Sequence, residues 1–438
     1  MPGRVLRLLP ANPHNLFNMF DPDFRPKLRA LRAEVIEDEE GRKLHLSDPR
    51  GIAPEVAMEV EYGAFLSLLN GAKTVSELEQ WLVERGISEP SEFVQGFLQQ
   101  MDELLMLESA RFREQAALIE EQAGDVRHAR FAGRSYPAEA AELREYLDDK
   151  LRDGLKRLPP ATLDASRVVG IVTPHIDFHR GGHTETASYI PLVKNVEATG
   201  KPFDLFIVLG IAHKGVAYPF AATGQSFETP FGVVETDADF LGALDEQLPE
   251  QDDILAEEWV HGDEHSLEFA AVMLGFHEKL ANAKIVPFAV GGFWDSLKTK
   301  QAPEEAEPEV ARFVAALRKT VLQWESRGKK VGFIASVDGA HVGTQFGDTT
   351  VLTPDRLQEI ESEDRTWIAD VEQGDRASFH AHFAKDFNRF HVDAHPAVYT
   401  LMAAFPELKG AFLDYDQAYH PDQNIVVSFA SMAFLSPA

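Results

Sequence analysis

Histidine and aspartate side chains follow an apolar run in the stretch RVVGIVTPHIDFHRGG, residues 167–182. The β-branched residues of VVGIV predict a buried strand, and His175, Asp177 and His179 come soon after it. Imidazole and carboxylate groups bind metals and act as general acids or bases. This stretch could therefore bring both kinds of chemistry to the end of one strand.

The same pattern occurs twice more along the chain. The apolar run in FDLFIVLGIAHKG leads to His213, and the run in KKVGFIASVDGAHVG leads to Asp338 and His341. In an open α/β sheet, ligands bind beyond the carboxyl ends of the strands. Three strands that each end in His or Asp therefore predict one shared polar site.

His175 and His213 are the predicted metal ligands, and the sequence leaves the third ligand open. Imidazole suits iron, copper, zinc or nickel, and two histidines with a carboxylate leave coordination positions open for substrate or oxygen. The chain contains no cysteine, which excludes thiolate ligands and a cysteine nucleophile. The candidates for the third position are Asp177, Asp338, His391 and Asp393.

A further informative stretch is WVHGDEHSLEFAAVML, residues 259–274. His265 opens a predicted apolar helix, and a helix N-terminus disfavours the imidazolium. A neutral base or hydrogen-bond donor is therefore favoured at His265 over a ligand. Asp263 and Glu264 are expected to cap this helix, and Glu264 could also orient a neighbouring side chain.

Composition indicates a folded globular protein with two domains. The 438 residues are 44% hydrophobic and 26% charged, and the chain is longer than one ordinary domain. The formal net charge of −29 disfavours nucleic acid and anionic membranes as partners. The sequence has no run of about 18 apolar residues and no signal-peptide pattern, so we expect a cytoplasmic protein.

Secondary-structure patterns divide the chain into an N-terminal module over 1–108, a helical linker over 109–126 and a main domain over 127–438. In the main domain strands alternate with helices, which predicts an α/β fold with a central sheet flanked by helices. The helix that follows His179 is expected to start near Thr184.

The N-terminal module is predicted to be a hairpin followed by three helices. The hairpin turn is placed at Glu40 and Gly41, and Thr74 with Glu77 has the spacing of a capping box. The helices are predicted over 54–70, 74–85 and 91–107.

The phrases FLSLLNGAKTVSELEQWLVERG and FVQGFLQQMDELLMLE resemble the PqqD-like winged-helix family over roughly residues 30–108. The resemblance implies a small α+β module. Residues 54–108 carry few basic side chains and many glutamates, which fits recognition of a peptide or protein better than recognition of DNA. A packing module without a ligand fits equally well.

The motifs of the main domain resemble, in order, those of the Memo family, catalogued in bacteria and archaea as AmmeMemoRadiSam system protein B. The resemblance covers roughly residues 127–438 and implies a fold like that of the LigB-type class III extradiol dioxygenases, with a site for iron or copper. The segments that carry it are RFAGRSYP, IVTPHIDFHRGG, VLGIAHKG, DEHSLEFAA, IVPFAVGG, IASVDGAHVG, DAHP and SFASMAFL.

The resemblance also implies roles for single residues. His175 and His213 fall on the family's histidine ligands, and His265 falls on the histidine that is catalytic in the dioxygenases. Asp338 and His341 fall on a strand-tip pair that faces or supports the substrate. We therefore expect catalysis by His265, Asp338 and His341, in a site also lined by Asp177, His179 and Glu264.

One departure from the family concerns the third ligand. Where the family has a cysteine, three residues before the His-Pro pair, this chain has Val392. His391 and Asp393 flank that position, and either could supply the ligand. Such a site would favour Fe(II), with copper or zinc also compatible. A second departure, Asp177 in place of a glycine, adds a carboxylate to the first ligand stretch.

Three functions are compatible with these patterns. The first is a metal-dependent redox enzyme that acts on a small molecule. The second is a metal-binding interaction protein whose N-terminal module holds a peptide or protein. The third is a metallohydrolase that uses a bound hydroxide.

Overall fold

The computed structural model of the chain describes residues 6–7, 20–38, 41–159 and 163–437. The chain divides into two compact units, Met1–Gly124 and Asp125–Ala438. Among the described residues, no helix is both long and apolar enough to cross a lipid bilayer.

In its described residues, the N-terminal unit combines a small sheet with four helices. Its strands lie in the order β1-β4-β3-β2. The strands are β1 (Leu6–Arg7), β2 (Arg32–Asp38), β3 (Gly41–Ser47) and β4 (Val56–Glu59), and the helices are α1 (Tyr62–Leu66), α2 (Val75–Val83), α3 (Pro90–Glu103) and α4 (Ala110–Ala123).

The predictions for this unit are confirmed in part. Strands β2 and β3 form an antiparallel hairpin, although Glu40 of the predicted turn lies outside the described residues. Thr74 and Glu77 form the predicted capping box at the start of α2. The helix predicted over 54–70 is wrong, because β4 pairs with β3 and only the short α1 follows. Pairing with a neighbouring strand has overridden the helical spacing of the apolar residues there.

The second unit is an α/β domain, as predicted. Its strands are β5 (Val126–Arg127), β6 (Val168–Thr173), β7 (Leu205–Ile211), β8 (Phe220–Ala222), β9 (Ser226–Thr229), β10 (Gly232–Val234), β11 (Lys284–Val290), β12 (Val331–Ser336), β13 (His341–Gly343), β14 (Lys409–His420) and β15 (Ile425–Leu435). Its helices are α5 (Ala140–Gly154), α6 (Phe178–Ser188), α7 (Ile190–Thr199), α8 (Ala238–Asp245), α9 (His265–Phe276), α10 (Trp294–Thr299), α11 (Pro303–Ala306), α12 (Pro308–Ser326), α13 (Pro354–Gln373), α14 (Arg376–Ala384) and α15 (Ala394–Ala404).

The large sheet of this unit has eight strands, ordered β13-β15-β6-β12-β7-β11-β8, with β14 paired to β15. Strands β6, β12, β7 and β11 run parallel, and the outer strands pair antiparallel to them. A smaller sheet has the order β10-β9-β5. The parallel centre places the carboxyl ends of β6, β12 and β7 side by side.

Both faces of the sheet are covered, which is why its central strands are apolar throughout. Every residue of β7 and β12 is buried. One face packs against Phe313 of α12 and Tyr399 of α15, and the other packs against Phe178 of α6 and Phe269 of α9. A parallel strand buried on both faces reads as a continuous hydrophobic run, which made these strands recognisable in the sequence.

Helix α9 lies close against β7 at Gly210. A Cβ atom on Gly210 would come within 2.4 Å of Ser266 Oγ and 2.9 Å of the Leu267 side chain. The absence of a side chain at this strand position therefore lets the first turn of α9 reach the sheet. This contact helps to set the position of His265, the first residue of the helix.

We expect Gly210→Ala to destabilise the protein by about 1–3 kcal/mol, because the added methyl group must push α9 off the strand. Chemical denaturation would measure the loss. Gly242→Ala is the matched control, since no atom lies within 4 Å of a Cβ added there in α8. The free energy of unfolding of that control should rise by about 0.5–1 kcal/mol. Equal stabilities of the Gly210 variant and the wild type would contradict this account of the contact.

Candidate metal centre

Three histidine side chains meet at the carboxyl ends of the central strands. His175 follows β6, His213 follows β7, and His265 is the first residue of α9. One ring nitrogen from each of them lies within 4.8 Å of the others. The ring centroids are separated by 5.1 Å for His175 and His213, 5.0 Å for His175 and His265, and 4.5 Å for His213 and His265. The structure thus brings together the two predicted ligands and His265.

Hydrogen bonds at Nδ1 set the orientation of two of these rings. His175 Nδ1 lies 2.8 Å from the carbonyl oxygen of Ser336, and His213 Nδ1 lies 2.9 Å from Glu264 Oε1. Because a carbonyl and a carboxylate only accept, Nδ1 carries the proton in each neutral ring. Nε2 is then the nitrogen that could coordinate a metal, with the partner of Nδ1 holding the ring in place.

Asp393 approaches His175 from the start of α15. Asp393 Oδ2 lies 3.2 Å from His175 Nε2, and Asp393 Oδ1 accepts from the Asp338 amide at 2.6 Å. Both facing atoms are buried, and neither makes a well-directed hydrogen bond to the described residues. Burial disfavours a charged His175, but the attraction of Asp338 and Asp393 is stronger and raises the pKa of His175 to about 10. The position between the two atoms therefore favours a cation.

Glu264 caps α9 and supports two of the histidines. Its carboxylate accepts from the amide and hydroxyl of Ser266 at 2.9 Å and lies 3.5 Å from His265 Nδ1. Burial opposes ionisation of Glu264, but His213 and these donors hold its pKa well below the ordinary range. The predicted capping role of Glu264 is confirmed.

His265 is held in the neutral form. Burial lowers its pKa, and the positive charge of His175 lowers it further, to about 3. Its ring also packs edge-on against Phe131 and Phe269, with centroids 5.8 and 5.5 Å away. A neutral imidazole can act as a ligand, a hydrogen-bond donor or a base.

An internal ion pair fixes the segment that carries Phe131. Arg127 pairs with Glu268 of α9 at 2.5 Å and donates to the Glu264 carbonyl at 3.1 Å. Glu268 also accepts from the amide of Phe131 at 2.9 Å and from the hydroxyl of Tyr136 at 2.5 Å. Since both charges are buried, this full set of partners is what makes their burial tolerable.

Asp338 follows the end of β12, and His341 is the first residue of β13, in the order the sequence predicts. Asp338 Oδ1 accepts from the amides of His175 and Ile176 at 3.0 and 3.1 Å, so it holds the backbone of the first histidine. His341 Nδ1 lies 3.1 Å from the Gly339 carbonyl oxygen, which makes Nε2 its basic nitrogen when the ring is neutral.

A cavity of about 350 Å³ opens onto these side chains. Its volume suits a small molecule. The polar lining is His175, Asp177, Arg180, His213, His265, Asp338, His341, Ser135 and Gln345, and the apolar lining is Phe131, Ile176, Phe269, Phe346, Ile425 and Val427.

Other predicted site residues take different positions. Asp177 lines the cavity, but its carboxylate caps α6 and pairs with Arg180 at 2.5 Å. His179 is exposed on α6, away from the cavity lining. The predicted helix start near Thr184 is wrong, because the cap lets α6 begin at Phe178. His391 is also exposed, and its Nδ1 lies 3.3 Å from the His341 carbonyl oxygen.

Glu185 of α6 is a buried acid that no pattern in the sequence singles out. Its side chain is fully buried, and neither carboxyl oxygen makes a hydrogen bond to the described residues. Burial, reinforced by the negative charge of Asp338, raises the pKa of Glu185 well above its ordinary value. An ionised carboxylate in this position would be very costly, so Glu185 is a neutral acid.

We expect Glu185→Gln to become more stable than the wild type as the pH rises. The folded protein holds a proton on Glu185 that the unfolded chain releases above its pKa of about 4.5. Between that value and the raised pKa of the folded state, the contribution of Glu185 to wild-type stability falls by about 1.4 kcal/mol for each pH unit. The glutamine variant lacks this loss. Urea denaturation between about pH 5 and 8 would measure the widening difference.

The exposed Glu197 of α7 provides the control for this experiment. The stability difference between Glu197→Gln and the wild type should not widen with pH in this range. If the Glu185→Gln difference were also independent of pH, Glu185 would not be a proton-holding acid.

Comparisons with known proteins identify a family for the part of the chain that carries these site residues. The sequence pattern of the family described as Memo-like protein matches residues 127–433. A MEMO1 family protein of Aquifex aeolicus is 23% identical over 94% of this chain and all of its own length, and one of Thermus thermophilus is 26% identical over 78% and 93%. A third, from Archaeoglobus fulgidus, is 30% identical over 49% of this chain and 68% of its own length. The chain therefore belongs to the Memo family.

Proposed function

We propose that this protein is a metal-dependent redox enzyme that acts on a small molecule, with Fe(II) as the favoured metal and copper or zinc also compatible. The observation that carries the proposal is the pair of buried atoms His175 Nε2 and Asp393 Oδ2, which face each other at 3.2 Å. Two more imidazoles lie beside them. Burying such a pair is costly unless a proton or a metal cation neutralises it.

The donor set supports the choice of metal. His175 and His213 would hold the ion, with Asp393 or His265 as the third ligand. Nitrogen and oxygen donors without a thiolate suit Fe(II) better than Cu(I). A bound Fe(II) would supply one-electron redox chemistry and coordination positions open to a substrate.

His341 is the residue best placed to move a proton in the cavity. Its Nδ1 is engaged by the carbonyl oxygens of Gly339 and His391, so Nε2 can accept a proton from a bound substrate. Asp338 has a supporting role, because it holds the amides of His175 and Ile176. The aromatic and aliphatic side chains of the cavity wall would keep water away from the reacting groups.

We expect His175→Ala and His213→Ala to lose most of the bound metal, because each removes a ligand. The measurement is the metal content of protein purified without oxygen and then loaded with Fe(II). His179→Ala is a matched control, since this exposed histidine lies on the neighbouring helix and outside the cavity lining. Glu264→Gln should lower the affinity by about 10–100-fold through loss of the support of His213.

Unchanged metal content in both ligand variants would overturn the proposed centre. Oxygen consumption by the Fe(II)-loaded wild type, with catechols and other small metabolites as probes, then separates an enzyme from a metal-binding interaction protein. Turnover of hydrolysable esters without oxygen consumption would instead favour the metallohydrolase.

We propose as a second activity that the N-terminal unit recognises a peptide segment. The supporting observation is β2, which lies at the edge of its sheet among the described residues and whose side chains from Ala33 to Glu37 are all exposed. Val35 and Ile36 are 47% and 42% exposed. An edge strand with unpaired backbone groups can pair with an extended peptide, while its side chains provide selectivity.

We expect Val35→Lys and Ile36→Lys to weaken binding of extended peptides, because a lysine on an edge strand opposes strand addition. Fluorescence polarisation with a library of labelled peptides and the full-length chain would measure the change in peptide affinity. Leu118→Lys is the control, since Leu118 is 49% exposed on α4 of the same unit. Equal losses in all three variants, or no peptide bound by the wild type, would contradict the proposal.

A further inference from the structure

The segment between β12 and β13, which carries Asp338 and leads to His341, is held by Ser428 of β15. Gly339 N–H donates to the Ser428 carbonyl at 2.8 Å, and Ser428 N–H donates to the Ala340 carbonyl at 2.9 Å. Ala340 N–H donates to Ser428 Oγ at 2.6 Å. A Cβ atom on Gly339 would come within 2.3 Å of Ser428 Oγ, so only glycine allows this approach. Ser428 therefore fixes the backbone between two residues of the candidate site.

The hydroxyl group of Ser428 depends in turn on Asp364 of α13. Because the Ala340 amide can only donate to Ser428 Oγ, the hydroxyl uses its own proton to bond Asp364 Oδ2, at 2.6 Å. Tyr415 OH donates to the same oxygen at 2.9 Å, and Trp367 Nε1 donates to Oδ1 at 2.9 Å. Asp364 is 1% exposed, and each of these partners is a donor.

These donors make the network sensitive to the charge of Asp364. Burial disfavours the carboxylate and the donors favour it, with the result that the pKa of Asp364 is raised to about 6. Protonation would turn one carboxyl oxygen into a donor among groups that already donate, so a hydrogen bond would be lost. The other titratable or charged groups near Asp364 are Tyr415, Arg365, Glu363, His382, Lys385, Asp386 and Arg389.

We propose that Asp364 is a positioning residue of the candidate site. Its carboxylate, acting through the Ser428 hydroxyl, holds the backbone that carries Asp338 and His341, and protonation of Asp364 releases that backbone. The proposal rests on the proposed function only in treating the site as catalytic, since the network itself involves no metal ligand. Activity that depends on the position of His341 should accordingly fall on the acid side of the Asp364 titration.

The test is an NMR titration that follows the Ala340 amide in the zinc-loaded protein. Zinc is chosen because Zn(II) is diamagnetic and does not broaden the amide signal. In the wild type this amide should shift with a midpoint near pH 6. In Asp364→Asn the midpoint should disappear, and hydrogen exchange of the amide should rise by about tenfold, because one amide N–H of asparagine must face a donor. Asp370→Asn, six residues further along α13, should behave like the wild type.

Ser428→Ala keeps the test decisive if Asp364→Asn does not fold. That variant should also lose the midpoint at Ala340, because it removes the hydroxyl that couples the two groups. A midpoint that persists in either variant would assign the titration to a group other than Asp364 and overturn the proposal, as would a wild type without a midpoint. Failure of the proposed metal centre would appear separately, as absence of zinc binding with the Ala340 titration intact.

Discussion

The approach of His175 to Asp393 is the interaction on which the rest of the candidate site depends. His175 Nε2 and Asp393 Oδ2 are buried 3.2 Å apart, and neither has a well-directed hydrogen-bond partner in the part of the chain that the structure describes. Such a pair attracts a cation and repels apolar groups. Their positions follow from the backbone. His175 follows the central parallel strand β6, and Asp393 lies at the start of α15, a helix that packs across the sheet. The amide of Asp338 donates to Asp393 Oδ1 and so links the two segments. The geometry is therefore set by the fold, so the proposed metal centre would need little reorganisation to form.

The hydrogen bonds that each acid of the site accepts decide whether its carboxyl group is ionised or neutral. Glu264 accepts from His213 and from the first turn of α9, so it is ionised although it is buried. Glu185 has no such donors among the described residues and is neutral. Asp338 accepts hydrogen bonds from two backbone amides and carries its charge beside His175. The same chemical group thus serves as an anchor, a neutral acid and a counter-charge, according to the donors that each fold position supplies.

The sequence allowed the main domain and the histidine centre to be predicted because the relevant signals are local. A strand buried on both faces is a continuous apolar run, and its carboxyl end points to a binding site, so His175 and His213 could be placed without knowing the strand order. The start of α6 was missed because Asp177 resembles a ligand as much as a helix cap, and only the finished fold pairs it with Arg180.

Residues that act through tertiary contacts could not be found in this way. Asp364 lies in an ordinary amphipathic helix, and its importance depends on Ser428, which is 64 positions away along the chain. Glu185 likewise lies in a helical stretch whose sequence has no pattern that marks this residue. The placement of β4 failed for a related reason, since the strand exists only because β3 pairs with it. Sequence patterns report burial and local caps well, but they do not report which distant groups a buried acid will meet.

The position of the carboxylate at 393 shows how a chain without cysteine places a further potential metal ligand beside His175. Val392 occupies the position where the family resemblance places a cysteine, and its side chain is 4% exposed within the hydrophobic core. The next residue, Asp393, presents its carboxylate to His175 instead. On the other side of Val392, His391 has a positive φ of 51°, and this turn in the backbone directs the chain into α15. In the metal centre proposed above, a hard carboxylate in place of a soft thiolate would favour Fe(II) over Cu(I).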